Sequence, residues 1–591
     1  VATSADLLRP PSLVAPAQPD ESVTAHRDAI RESPLIVGIL GHRELDPARM
    51  PRLHDAVVAF IAEIREHLPD TELRATIALT RGCDVQYVRG ALDFVSHVEV
   101  LLPMPLEECA SDFDADALQT LRALFKDPKV SSTVLSAPVQ PLGIGGSEQT
   151  RHAALYANLT ETLVRRSSVL LTLWDGHSPL RGVIKDSALR HIGVGAAAAD
   201  ADVSLVMLDL ADDVDAADSV VHWTPGTGDA GTPQPRPRMP PQLVRQLVDL
   251  NTYNRDYRRL LAQGRIRTAS SLLAPVPAGV PLDDWPALEA IDAEYGKADA
   301  LALHYQARSD RLFSLFAIMA FTMGLVYLTY EKLAHRSLLL VSYLVVLLCS
   351  LCVYYALRGQ GWFTKHLSYR TLAETLRVTF YLRLTGVDHR LDAARVLALS
   401  GINRFRGFSL ITHVLAALAV PDAHAADRRA PDLGRSRYVE RDWIEGQHRY
   451  FVVKVSQLKR MGRRVTALKN ALFATVLLVI VAMVLSDRAM EHYEIFFGVS
   501  LENAATFGWG VLALLLGAWQ LHDNNKASRE LLLQYRNQGG HFARARQQLS
   551  RLVDAGERNH ILVELGRDSL MESYLWTIHR YHREHEPAGK H

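Results

Sequence analysis

The sequence predicts an α/β domain built on a parallel sheet, joined to an α-helical transmembrane region of two helical hairpins. Three observations carry this. Short apolar runs alternate with helical stretches over residues 34–215. Two longer runs, 312–330 and 337–357, contain no charged residue and are separated only by EKLAHR. A second apolar pair follows at 471–485 and 504–521. A nineteen-residue helix rises about 28 Å, close to the hydrocarbon thickness of a bilayer. A soluble helix of that length would show a polar stripe, and the first two runs have none.

Residues 1–33, rich in Ala, Pro and Ser, lack the basic start and apolar core of a secretory leader and read as a mobile tail. LIVGIL (35–40) is then a strand stopped by Gly41, and helical periodicity runs from Asp55 to Leu68. ATIALT (75–80) is a second strand, ending at Arg81-Gly82, and Asp84 begins another helix. HVEVLLPMP (97–105), SSVLLTLWDG (167–176) and DVSLVMLDL (202–210) complete the expected strands. Strands alternating with helices, each ending in Gly or Pro, predict a parallel sheet covered on both faces.

In such sheets ligands sit beyond the carboxyl ends of the strands. Those ends hold Gly41, His42 and Arg43; Arg81, Gly82 and Asp84; and Trp174, Asp175 and Gly176. Glycine lets the backbone turn sharply and bring N–H groups near an anion, with helix N-termini adding positive charge. Arg43 and Arg81 suit a phosphate, Trp174 a base, and Asp175 a ribose hydroxyl. The plainer alternative is that the glycines close turns while Asp84 and Asp175 cap helices or turns. Neither GxGxxG nor GxxxxGK[ST] is present to decide between them.

GILGHRELDP, LTRGCDVQYVRGAL, VEVLLPMP with Asp112-Phe113 soon after, and RRSSVLLTLWDG occur in that order. Together they resemble the SLOG group, a Rossmann-like superfamily related to the DprA and LOG proteins. The resemblance implies a nucleotide or nucleotide-derived ligand, held at Gly41, His42, Arg43, Arg81, Gly82, Asp84, Trp174, Asp175, Gly176 and Gly182. Relatives continue after WDG with a Gly-Gly-Thr phosphate loop, whereas this chain has Arg181-Gly182-Val183. Hydrolytic relatives need a glutamate just beyond, and VIKDSALRH (183–191) supplies none. The expectation is therefore a ligand sensor without catalytic residues. The alternative is a membrane-tethered nucleotide N-glycosidic hydrolase of the LOG type.

Residues 216–241, rich in Pro and Gly toward the end, read as a linker, and 242–311 as a helical connector to the first hairpin (312–357). After it, Tyr369, Leu372, Leu376 and Phe380 recur at helical spacing, an amphipathic stripe within 358–420. A two-span hairpin followed by this YRxxAExLR helix is similar to the SLATT family, two-span modules found beside SLOG domains in bacterial conflict systems. Arg370, Glu374 and Arg377 are the matching positions, and alone would read as helix-surface ion pairs. A second linker (421–437), a helix (438–470), the second hairpin (471–521) and C-terminal helices (522–591) follow. His579, His582 and His585 lack a ligand set, and no metal is expected.

Lys plus Arg and Asp plus Glu balance at 65 each, so no global field favours nucleic acid. Four cysteines suggest no disulfide scaffold, and Cys349 and Cys352 lie inside an apolar run. Lys459, Arg460, Arg463, Arg464 and Lys469 precede the second pair and Lys526, Arg529 and Arg536 follow it, while only Arg488 lies between its spans. The positive-inside rule then places both large flanks, and both termini, in the cytoplasm. The resemblance implies a bacterial inner membrane. A carrier is disfavoured, because none of the four runs holds Asp, Glu, Lys, Arg or His. Gly508, Gly510 and Gly517 would permit close helix approach in a homo-oligomer whose spans form a pore.

Overall fold

The computed structural model describes residues 32–40, 50–79, 84–110, 113, 115–135, 148–174, 204–209, 220–224, 234–236, 239–266, 271–273, 276, 285–419, 432–485, 494–496, 499–526 and 528–585. The chain divides into two compact units. The larger draws on the chain up to Leu301, on Leu367–Arg441 and on Gln547–His591; the smaller includes Ala302–His366 and Asp442–Arg546.

The larger unit is organised on an 8-stranded sheet of order β4-β3-β2-β1-β5-β6-β7-β8. Its strands are β1 (Leu35–Leu40), β2 (Leu73–Ala78), β3 (His97–Leu102), β4 (Val130–Val134), β5 (Val169–Trp174), β6 (Ser204–Asp209), β7 (Val220–Thr224) and β8 (Gln234–Arg236). β1 to β6 pair in parallel. β7 and β8 add an antiparallel edge. Every residue of β1 is buried, as a strand covered on both faces requires. Gly38 sits in its middle because a side chain there would collide with the Ser167 hydroxyl and approach Leu170.

The crossovers from β1 through β4 all step one way across the sheet. Right-handed connections then put α1 (Met50–His67), α2 (Asp84–Leu92) and α3 (Ala115–Leu124) on one face. The return step to β5 puts α4 (Glu148–Arg166) on the other. α4 shares that face with a helix from much later in the chain, α10 (Leu410–Leu418), which packs on β1 and on α4.

Three sequence expectations change here. VSSTV adds the edge strand β4, which has one buried residue and otherwise alternates half-buried and exposed. The stretch expected as a linker at 216–241 carries β7 and β8, and Pro235 is tolerated on an edge strand, paired with Trp223. The helix expected to be amphipathic, α8 (Trp362–Leu384), is buried nearly all round from Leu367 onward. Its threonines make this possible by bonding back to the preceding turn: Thr371 to Leu367, Thr375 to Thr371 and Thr379 to Thr375.

α5 (Pro241–Ala262), opened by Pro240-Pro241, and the first part of α6 (Trp285–Lys332) join the sheet through a buried polar network. Lys297 Nζ donates to Ser33 Oγ and to Asn254 Oδ1, each at 2.7 Å, and lies 3.4 Å from Glu294. It also sits 4.2 Å from the centre of the Tyr253 ring, whose hydroxyl donates to Glu294 at 2.7 Å. Asn254 reaches Ser33 O and Thr71, and Asn251 accepts from the Asp70 amide. Arg258 pairs with Asp70 and Glu32. Burial pushes the Lys297 ammonium below its ordinary pKa despite Glu294 beside it. All these contacts gather before β1 and β2, at the edge of the sheet away from the strands' carboxyl ends.

α8 and α15 (Ala555–His585) pack together through Thr371 to Thr577 at 3.2 Å and Thr375 to the Tyr574 hydroxyl at 2.8 Å. Gly566 makes room: a Cβ there would lie 3.1 Å from Leu382 and Val378. α9 (Ala393–Ser400) and α11 (Leu433–Val439) complete the unit's helical part.

In the smaller unit α7 (Ser337–Arg358), α12 (Gly446–Leu485), α13 (Leu501–Lys526) and α14 (Ser528–Leu549) accompany the rest of α6. Trp443, Phe451, Tyr535 and Phe542 stack where α12 begins against α14, with ring centres 5.7 to 5.8 Å apart. Among the described residues three helical stretches are long and apolar enough to cross a membrane: Trp285–Lys332, Ser337–Leu357 and Leu433–Ala482. Their apolar windows are 0 to 6% buried inside the protein. The fourth expected run lies within α13, which is not one of the three.

Candidate ligand crevice at the switch point of the sheet

Chain order reverses between β1 and β5, so these two strands are neighbours although all of β2 to β4 intervenes in sequence. A crevice forms outside the carboxyl ends of the strands at such a reversal. Leu40 pairs with Ala78 on one side and Thr172 on the other, so β1 and β2 end level with one another and β5 runs on past them to Trp174. These strands are adjacent and parallel, so their carboxyl ends lie along one edge of the sheet.

Asp84 is the first residue of α2, and Trp174 is the last of β5, paired in register with Asp209. The other candidates, Gly41, His42, Arg43, Arg81, Gly82, Asp175, Gly176 and Gly182, lie outside the described residues.

Thr172, near the end of β5 beside Leu40, is buried, and among the described residues its hydroxyl has no hydrogen-bond partner. A buried hydroxyl left unsatisfied is costly, and a polar ligand over the strand ends would relieve it. Beyond β3, Met104, Cys109 and Leu155 form a buried cluster backed by Phe113 and Tyr156. The Cys109 thiol donates to the Met104 and Pro105 carbonyls at 3.5 and 3.2 Å, which holds this apolar shoulder in a tight turn. On the same face as α4, Glu99 accepts from Arg166 at 2.9 Å and from Thr133 at 2.8 Å. That pair fixes the helix to β3 and β4 and leaves neither charge for a ligand.

Arg370, Glu374 and Arg377 are not on a helix surface. Glu374 is held between Arg370 and Arg377, Arg370 also reaches Asp299 at 3.3 Å, and Arg377 donates to the Tyr295 hydroxyl at 2.7 Å. Burial pushes the Glu374 carboxyl up, and the two guanidinium groups more than offset this, holding it below the usual range. Burial also raises the Tyr295 hydroxyl to about 12, so it stays protonated beside Arg377. This is a structural clamp between α6 and α8. His582 packs its ring edge against Phe405 at 5.0 Å, and among the described residues no group of three or more His, Cys, Asp or Glu could hold a metal.

The sequence offered no hint of Thr172 or of the Lys297 network. Ser33 and Lys297 stand 264 positions apart, and local periodicity carries nothing about such a pair. Comparison of the chain with protein-family models, curated proteins and solved structures gives no match. The fold is thus an α/β domain whose strand order reverses between β1 and β5, in one chain with helices long and apolar enough to cross a membrane.

Proposed function

We propose that this chain is a membrane-embedded effector of the SLOG–SLATT kind. A nucleotide or nucleotide-derived signal binds the crevice between the ends of β1 and β5, and the spans then open a path through the bilayer. The observation that supports this most is the adjacency of β2, β1 and β5 at the reversal of the sheet, which brings the strand ends preceding all three motifs to one edge. Arg43 and Arg81 would meet phosphate, Trp174 a base and Asp175 a ribose hydroxyl. The missing glutamate after Gly182 favours sensing over hydrolysis.

Two hairpins place both termini in the cytoplasm, with α13 as the fourth span. Two helices enclose no lumen, so the path forms in a homo-oligomer. The ligand must bind the open form more tightly than the closed one. A shift from 1:99 to 99:1 needs about 5.5 kcal/mol, which several sites in one oligomer supply together. The helices between Leu243 and Arg311 link crevice and spans along the chain and carry the change.

The test is purified full-length protein in dye-loaded liposomes, titrated with mono- and dinucleotides while each nucleotide is assayed for turnover. Dye release without turnover, weakened in Arg43→Ala and Asp175→Ala, is the expected result. Losing a charged partner there costs about 1.5–3 kcal/mol, or about ten- to a hundred-fold in affinity. Turnover without release makes the chain a tethered hydrolase. Unchanged affinity in both variants removes the crevice as the site.

A further inference from the structure

We propose that the exposed basic stretch of α12 binds the anionic headgroups of the membrane leaflet that this helix enters. The proposal rests on α12 crossing the membrane, and on neither nucleotide sensing nor pore formation. Lys459, Arg460, Arg463 and Arg464 are separated by one and four residues, so they form two adjoining rows on one side of the helix. All four are exposed. Among the described residues none of them has a hydrogen-bond or ion-pair partner. No Asp or Glu occurs anywhere in α12. Like charges four apart on a helix repel, so nothing within the helix compensates this cluster.

Span length sets its depth. The uncharged run 471–485 would cover only about 22 Å of a hydrocarbon layer about 30 Å thick. Asp487 and Arg488 close its far end, so the crossing must extend toward the N-terminus. Beginning at Val465 it reaches about 31 Å, with Lys469 extending its stem toward the interface. Lys469 also donates to Gln520 of α13. Arg463 and Arg464 then fall at the phosphates, and Lys459 and Arg460 just outside them, within about one Debye length of the surface. Beside Arg464, three residues before it and four after, Met461 and Leu468 are also exposed, 46 and 45%. Because the rows continue directly into the span, lipid is the phosphate source they always have beside them.

The test uses full-length protein in phosphatidylcholine bilayers carrying spin-labelled phosphatidylglycerol or spin-labelled phosphatidylcholine, without nucleotide. The motionally restricted fraction measures each lipid's association. The expected result is a several-fold preference for phosphatidylglycerol that declines as salt is raised. Each single change to Gln should lower it in part, the four parts together making up the whole preference. In the combined Lys459→Gln, Arg460→Gln, Arg463→Gln, Arg464→Gln variant the preference should vanish, with association of the phosphatidylcholine probe unchanged. An equal preference in both proteins overturns the proposal. If the combined variant fails to insert, the Arg460→Lys, Arg463→Lys, Arg464→Lys variant decides, since it keeps the charge and must keep the preference. Displacement of the lipid probe by soluble polyphosphate at matched phosphate concentration would make this a site for soluble polyanions and overturn the proposal as well.

Discussion

Leu514 of α13 fills the space that a side chain on Gly324 of α6 would need, and Leu328 does the same at Gly510, where a Cβ would lie 2.5 Å from it. The two pairs are reciprocal: advancing four residues along one helix means retreating four along the other, so α6 and α13 run antiparallel. Of the three glycines singled out in the sequence for close approach, Gly510 receives a neighbour, while nothing among the described residues comes within 4 Å of a Cβ at Gly508 or Gly517.

Filling either notch should loosen this contact. Gly324→Leu or Gly510→Leu should each destabilise the protein by about 1–3 kcal/mol through overpacking. Combining Gly510→Leu with Leu328→Gly should recover part of the loss, because the knob and its notch exchange sides. Thermal unfolding of the detergent-solubilised protein measures all three variants. A double variant as unstable as the sum of its parts would show that the two residues are not a pair.

Lys297 is 2% exposed and supplies the only cation in contact with Glu294 among the described residues. Lys297→Ala should cost about 3–5 kcal/mol, since it leaves that carboxylate buried without a counter-charge. Adding Glu294→Gln should return a substantial part of it. The check is the denaturant midpoint of the full-length protein, and equal midpoints for the single and double variants would refute the pairing.

His413 on α10 is 1% exposed, and among the described residues neither ring nitrogen has a hydrogen-bond partner. Burial pushes its pKa down to about 4. Between that value and the unfolded value of about 6.5, the unfolded chain binds a proton that the folded chain refuses. Its contribution is therefore fully present above about pH 6.5 and falls with pH to a loss of about 3 kcal/mol near pH 4. His413→Leu should flatten the slope of stability against pH in that window. An unchanged slope would assign the acid sensitivity elsewhere.

Single cysteines near Ala334 and near Glu494 should label from outside intact cells, whereas those near Glu66 and Arg551 should not. Labelling near Glu494 only after lysis would remove the second hairpin and with it the four-span topology.

What the sequence disclosed follows the physics of each element. LIVGIL reads as a buried strand because it is continuously apolar and bounded by Gly41, and the structure places β1 at Leu35–Leu40. VSSTV does not, since an edge strand with half its residues facing out needs no apolar run. β8 is three residues, QPR, inside a stretch whose proline content suggests a linker. α8 hides its nature differently: threonines read as a polar face, yet each hydroxyl is satisfied by its own helix and can be buried. Strand ends locate the crevice from sequence. The hydroxyl of Thr172 could be found only in three dimensions, because its lack of a partner depends on what surrounds it.

The packing of α10 on β1 has a consequence for biosynthesis. β5 ends at Trp174 and α10 begins at Leu410, so about 240 residues must be translated between them, which takes roughly 12–50 s at 5–20 residues per second. During that interval the ribosome releases the first apolar hairpin, while the central strand waits with part of one face uncovered. On the proposed membrane reading, targeting of the nascent chain precedes closure of its α/β domain, and a delay at the translocon would lengthen the exposure of an apolar sheet surface to chaperones and proteases.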